Sequence, residues 1–255
     1  DYVLEETGFE IVYRTGGDIE LLKRLLAAEL PVIIEKGFEG RDFDGWMGHY
    51  VLVTGYDETE RKFIVQDSYY GPDQSIQYED LESNWRAFNF TYLVIYPIER
   101  WKDVIVILGP NFDVEYSNRS SAQVATEDVV QLAGRDHFFA WFNLGSSLVQ
   151  LQDYAGAALA YDKAFDVYTD IPDQERPWRM MWYQTGPYSA YFYTGRYQDV
   201  MELATTTLKA MSEPVLEESY YWRARSLEAL GDNDRARMDL RTALKYHPGF
   251  EPALT

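Results

Sequence analysis

No cysteine occurs among the 255 residues. Disulfides, thiolate metal sites and thiol chemistry by these residues are thereby excluded. Basic charge is scarce too: 23 Lys and Arg stand against 42 Asp and Glu, a formal net charge of −19. Nucleic acid and anionic membrane both demand a basic face, so neither is expected as a partner. No apolar run approaches the roughly 18 residues that a membrane span needs. The opening Asp1-Tyr2-Val3-Leu4-Glu5-Glu6 has neither an initiator Met nor the basic stretch of a signal peptide, and reads as a start inside a longer gene product. What is abundant is apolar and aromatic side chain: 46% of residues are hydrophobic and 16% aromatic, with 21 Tyr, 13 Phe and 7 Trp. At this length one large domain or two ordinary ones are expected.

From Phe9 to Pro97 the pattern mixes α and β. Phe9, Ile11 and Tyr13 alternate with Glu10, Val12 and Arg14, which suits a strand with one buried face. After Gly16-Gly17, Asp18 is placed to cap a helix with Ile19, Leu22, Leu25 and Leu26 on one side. Leu30-Pro31-Val32-Ile33-Ile34 is a short strand with Pro at its start. Residues 37–48 are expected to be a polar loop holding Trp46 and Met47. Two strands, 49–56 and 62–66, come next around the charged turn 57–61. Tyr69-Tyr70-Gly71-Pro72 has turn chemistry, Tyr78 to Trp85 suits a short helix, and Phe90 to Tyr96 reads as a last strand stopped by Pro97. Together these predict an α+β domain with an antiparallel sheet.

Beyond a connector, Glu99 to Asn118 with a break at Gly109-Pro110, the period becomes helical. A helix from Ser120 to Leu132 is expected to bridge the sheet to the helical region. Trp141, Leu144, Gly145, Leu148, Tyr154, Ala157, Tyr161 and Ala164 have the large–small spacing of a tetratricopeptide repeat. Tyr220, Ala224, Leu227, Gly231, Ala236, Leu240, Ala243 and Pro248 repeat it. A middle copy, Tyr188, Tyr191, Gly195, Tyr197, Val200 and Ala204, has Pro187 in its first helix. Tyr154, Tyr197 and Asn233 mark one turn position, so the first interval exceeds the usual period of about 34; the surplus is expected around Asp170 to Arg176. The expected organisation is an α+β domain over 1–98, a connector and bridging helix over 99–135, and about three repeats over 136–255.

His49 opens the β-prone run His49-Tyr50-Val51-Leu52-Val53-Thr54-Gly55-Tyr56-Asp57, and Asp67 comes directly after the next one, Phe63-Ile64-Val65-Gln66. Adjoining strands would hold the two side by side, a titratable ring next to a carboxylate. A plain reading stands beside this one: His49 as a structural strand residue, Asp67 as the cap of the turn from Ser68 to Pro72. His137 and His247 lie apart from plausible co-ligands, Asp57, Glu58 and Glu60 suit a solvated hairpin, and Leu108-Gly109-Pro110 is no phosphate loop, so neither metal nor cofactor is expected. In the repeats, Phe142, Ser146, Trp182, Gly186, Glu218 and Trp222 occupy positions where some repeat proteins carry a Lys/Asn clamp for a peptide carboxylate. That clamp is absent here. The remaining reading is an aromatic groove for an apolar or Pro-rich segment, with Phe142, Trp182, Tyr183, Trp222 and Arg225 as its candidates.

The N-terminal half resembles the double-glycine (bacteriocin-processing) peptidase-like family of papain-like cysteine peptidases, family thirty-nine. The resemblance is carried by Gly16-Gly17-Asp18-Ile19-Glu20-Leu21-Leu22-Lys23, Leu30 to Ile34, His49 to Asp57, Val65-Gln66-Asp67-Ser68 and Asn84-Trp85, in order and spacing over about residues 9 to 97. It departs at Ser68, where the family usually has Pro. The resemblance implies a bacterial papain-like domain whose N-terminal part is missing, with His49 as general base and Asp67 as its orienter. It finds no residue here for the family's nucleophilic Cys and oxyanion Gln, which lie on an upstream segment. Two expectations stand: a thiol peptidase if such a segment precedes Asp1, inactive as these residues stand, or a non-catalytic protein- or peptide-binding scaffold. In the first case the sheet lacks a packing helix and exposes apolar surface, which the chain's own upstream segment or a second copy would cover. An extracytoplasmic home is implied only by the export of many family members that carry helical repeats.

Overall fold

A computed structural model describes residues 2–40 and 45–254. Helix α1 (Tyr2–Thr7) leads into strand β1 (Phe9–Arg14), helix α2 (Ile19–Ala27), strands β2 (Val32–Phe38), β3 (Met47–Asp57), β4 (Lys62–Asp67) and β5 (Gly71–Gln77), helix α3 (Tyr78–Arg86) and strand β6 (Tyr92–Pro97). The six strands form one antiparallel sheet in the order β1-β6-β2-β3-β4-β5. Asp18 caps α2 as its spacing predicts, its carboxylate accepting from the Leu21 N–H at 2.6 Å. Strand alternation then sets Val12, Val32, Ile34, Val51, Val53, Val65 and Val94 on one face, where Leu21, Leu22 and Leu25 of α2 and Leu81 and Trp85 of α3 cover them.

Several local expectations change. In β1 it is Val12 that faces the core, while Phe9, Ile11 and Tyr13 stand exposed on the other face with Tyr50 and Ile95. The expected loop over 37–48 is shorter, because β2 continues through Gly37 and Phe38 and β3 begins at Met47; residues 41–44 lie outside the described residues. The segment after Tyr70 is not only a turn. Gly71–Gln77 pairs with β4 as an edge strand, a position that tolerates Pro72. The connector is helical: α4 (Trp101–Leu108) buries Val104 and Leu108 in the sheet's core.

Helix α5 (Val114–Gln131) comes next, joined to the end of β1 by hydroxyls: Ser117 Oγ donates to the Thr15 carbonyl at 3.0 Å. The rest is helical: α6 (Gly134–Gln150), α7 (Tyr154–Asp170), α8 (Met180–Tyr183), α9 (Gly186–Tyr193), α10 (Tyr197–Lys209), α11 (Glu217–Ala229) and α12 (Asn233–Tyr246). Helices α7, α10 and α12 start at Tyr154, Tyr197 and Asn233, the predicted turn positions. The surplus between the first two copies holds a short 3-10 turn and α8. Pro187 sits at the first turn of α9, where its missing N–H costs nothing. Gly145 lets the Tyr161 ring lie against α6, at 2.7 Å from where a Cβ would be. The protein is thus an α+β domain followed by an all-helical array.

The two halves share hydrocarbon. Trp46 leaves the sheet and is buried among Phe88, Phe139 and Tyr183 in the core of the array. Its carbonyl accepts from Arg179 at 3.0 Å. Gly48 next to it has no room for a side chain, since a Cβ there would meet Phe88 at 2.7 Å and Tyr183 at 3.2 Å. Asn143 and Gln184 of the array donate to the Arg86 and Ala87 carbonyls at 2.7 and 2.9 Å. Those donors satisfy the end of α3, whose last carbonyls have no partner within the helix.

Candidate active site

The register of β3 on β4 sets Val51 opposite Asp67. His49 lies two positions before Val51 and therefore on the same, inner face. This brings His49 Nε2 to 3.0 Å from Asp67 Oδ1. The same oxygen accepts the backbone N–H groups of Tyr69 and Tyr70 at 2.7 and 3.0 Å, so Asp67 caps its turn and holds the imidazole at once. One carboxylate oxygen thus makes both the turn-capping contacts and the contact to the ring. Burial pushes its pKa up, but these two N–H groups and His49 together outweigh burial and hold it below the usual range. An ionised carboxylate only accepts, so Nε2 carries a proton, and in the neutral ring the lone pair is on Nδ1. Nδ1 has no hydrogen-bond partner among the described residues.

An aromatic frame fixes the ring. Phe38 packs on His49 with centroids 4.7 Å apart, and Tyr69 and Tyr70 meet Phe38 edge-on at 5.1 and 5.7 Å. Lys36 stands directly across from His49 on β2. Neither Phe38 nor Lys36 figures among the sequence candidates. The signal was present: alternation from Val32 and Ile34, carried two steps on, places both on the inner face beside His49.

The five groove candidates separate. Phe142 is a correction: it is fully buried, wedged between Phe138, Tyr161 and Phe165, and presents nothing to a ligand. The 3.6-residue period that carries Phe138 inward carries Phe142 with it. Tyr183 packs on Trp46 and Phe88 at the junction with the sheet and is still partly exposed; Trp182 packs on Trp178 beside Arg179. Trp222 and Arg225 belong to the third copy, where Trp222 packs on Phe192 and Arg225 lies over Phe192 and donates to the Tyr221 hydroxyl. Among the described residues no ring contact joins the Trp182–Tyr183 pair to Trp222, so they form two patches. No helix among the described residues is long and apolar enough to cross a membrane.

Residues 5–93 match the model of the Peptidase_C39 like family. Residues 140–170 and 218–249 each match a tetratricopeptide-repeat model. No curated protein matches the chain. Among solved structures, one described as "MamA RS-1 ArsTM double mutant" aligns over 65% of this chain and 78% of its own, at 12% identity and a TM-score of 0.44. One described as a "putative C39-like peptidase from Bacillus anthracis" aligns over 36% of this chain and 54% of its own, at 20% identity and a TM-score of 0.29. The chain spans about half the length of that second protein.

Proposed function

We propose that this chain, in which a Peptidase_C39-like domain is followed by tetratricopeptide repeats, carries the base half of a thiol-peptidase site and an array that holds a protein partner. The observation behind this reading is the imidazole of His49, oriented through Nε2 by a buried carboxylate while Nδ1 is left without a partner. Such a ring takes the proton of a thiol, the thiolate attacks a peptide carbonyl, and the imidazolium returns the proton to the leaving amine. Asp67 keeps the tautomer and steadies the imidazolium. The thiol is not among these 255 residues, so it reaches Nδ1 from polypeptide outside them, and these residues alone hydrolyse no peptide by this route.

The test is hydrolysis of a fluorogenic peptide library by the protein bearing the residues encoded upstream of Asp1. Thiol-dependent activity should appear, and His49→Ala should lower it by about 10³-fold or more. Activity that survives His49→Ala, or that ignores thiol alkylation, sinks the proposal. The rival is a non-catalytic scaffold, favoured by the lack of any Cys here and by the repeats. It predicts no thiol-dependent hydrolysis and a partner whose capture is weakened by Tyr183→Ala or Trp222→Ala.

A further inference from the structure

One charged group beside the His49–Asp67 pair has no role in that chemistry. Lys36 is buried, 8% exposed, although a Lys is seldom buried without a carboxylate on it. Its Nζ makes one long hydrogen bond, 3.4 Å to the Gly37 carbonyl, and sits 5.3 Å from the centre of the Phe38 ring. Asp67 does not close onto it: no ion pair joins Lys36 to any carboxylate among the described residues, and Asp67 Oδ1 already accepts three donors. Burial depresses the Lys36 pKa, and the field of Asp67 offsets that only in part. An ammonium held this way is a strain on the fold unless something else meets it.

Lys36 opens onto a cleft of about 490 Å³ that Asp67 and Phe38 also line. Arg135 at the same cleft is committed to Glu39, and Asp67 to His49, which leaves Lys36 as the unmatched charge there among the described residues. Gln74, Ser75 and Asn84 add neutral hydrogen-bonding groups, and Ile76 an apolar patch. Against a net charge of −19, an anion would gain nothing from the surface at large; attraction has to be local.

We propose that Lys36 is an anion-receiving residue and that the cleft takes a carboxylate of the peptide bound beside His49. This rests on the peptidase-site reading and adds a substrate class to it: peptides with an acidic side chain near the reacting bond, or with a free C-terminus there. The stem of the carboxylate lies against Phe38 and Ile76, and its oxygens take the ammonium protons that Gly37 leaves unused.

Four acetylated tetrapeptides separate the outcomes in an NMR titration of the 255-residue chain. They are tetra-alanine with a free C-terminus, its amide, and amides with Glu or Gln at the third position. The His49 ring signals report occupancy, since Phe38 links the cleft to that ring. We expect one carboxylate peptide to bind at least about tenfold more tightly than its neutral match. The free-acid arm identifies a C-terminus, the Glu arm a side chain. Lys36→Met should erase the preference while raising Tm, and Lys36→Gln should erase it too. Equal binding of charged and neutral peptides, or a preference that survives Lys36→Met, overturns this inference and leaves the peptidase-site reading standing. If no peptide moves the His49 signals, this inference falls, while thiol-dependent hydrolysis and its loss in His49→Ala still decide the peptidase-site reading.

Discussion

Two buried carboxylates with different partners divide the molecule between them. Asp239, on α12, is gripped by Arg223 of α11, whose Nε and Nη2 donate to its two oxygens at 2.7 and 2.8 Å while Nη1 reaches Thr205 of α10. Asp67, at the end of β4, is met by an imidazole and two backbone N–H groups. A guanidinium stays charged and uses both oxygens, so the first pair is a fastener between three helices. A histidine can gain or lose its proton near neutral pH and has a second nitrogen to offer. The first acid fixes a position; the second orients a ring that has a free nitrogen among the described residues. Degree of burial does not tell them apart, and the chemistry of the partner does.

Breaking the fastener should have the largest effect. Arg223→Met leaves Asp239 charged and alone, and a loss of about 3 kcal/mol is expected in denaturant unfolding. The His49 ring signals should not move. Asp67→Ala comes next, at about 2 kcal/mol, because the Tyr69 and Tyr70 N–H groups lose their acceptor. Here the His49 signals should shift as the ring loses its fixed tautomer. A gentler difference, between the chain and Asp67→Asn, should shrink in acid. The folded-state pKa of Asp67 is depressed, so its contribution is whole above the ordinary carboxylate value of about 4 and fades as pH falls through the lower folded value. Unfolding free energies of the two proteins should therefore converge toward acid. Divergence there would mean that Asp67 is held neutral. The smallest change in stability, under about 1 kcal/mol, is expected for His49→Gln, whose amide can still donate to Asp67. If residues beyond these 255 supply the proposed thiol, the same substitution should remove nearly all hydrolysis, and a mild loss would place His49 on the structural side of the comparison.

The pair itself was legible because strands have a period of two and the hairpin around 57–61 is short, which sets positions 49 and 67 near one another. Its surroundings were less so. Gly37 reads as the start of a polar loop, yet pairing with β3 carries β2 on to Phe38, and with it come Lys36 and the ring that packs on His49. Gly71–Gln77 has almost none of the β-branched or aromatic residues that mark strands. It is extended because β4 has an open edge to pair, and that is tertiary context rather than propensity. Phe9, Ile11 and Tyr13 show the opposite limit: alternation reveals two faces without saying which one helices will cover. The repeats came through better, since each helix pair is specified by neighbours close in sequence, down to the start of α10 at Tyr197. Phe142 misled because a large aromatic on a first helix suits either a groove or a core, and only its contact with Tyr161 decides.

Trp46 belongs by sequence to the sheet and by contact to the helices, three positions ahead of His49. Severing the chain between α5 and α6 would accordingly yield two damaged parts: a helical stack with an empty socket, and a sheet whose loose indole draws the imidazole strand out of register. Anyone grafting this array onto another domain, or lending this domain another array, would have to carry the tryptophan and its socket across together.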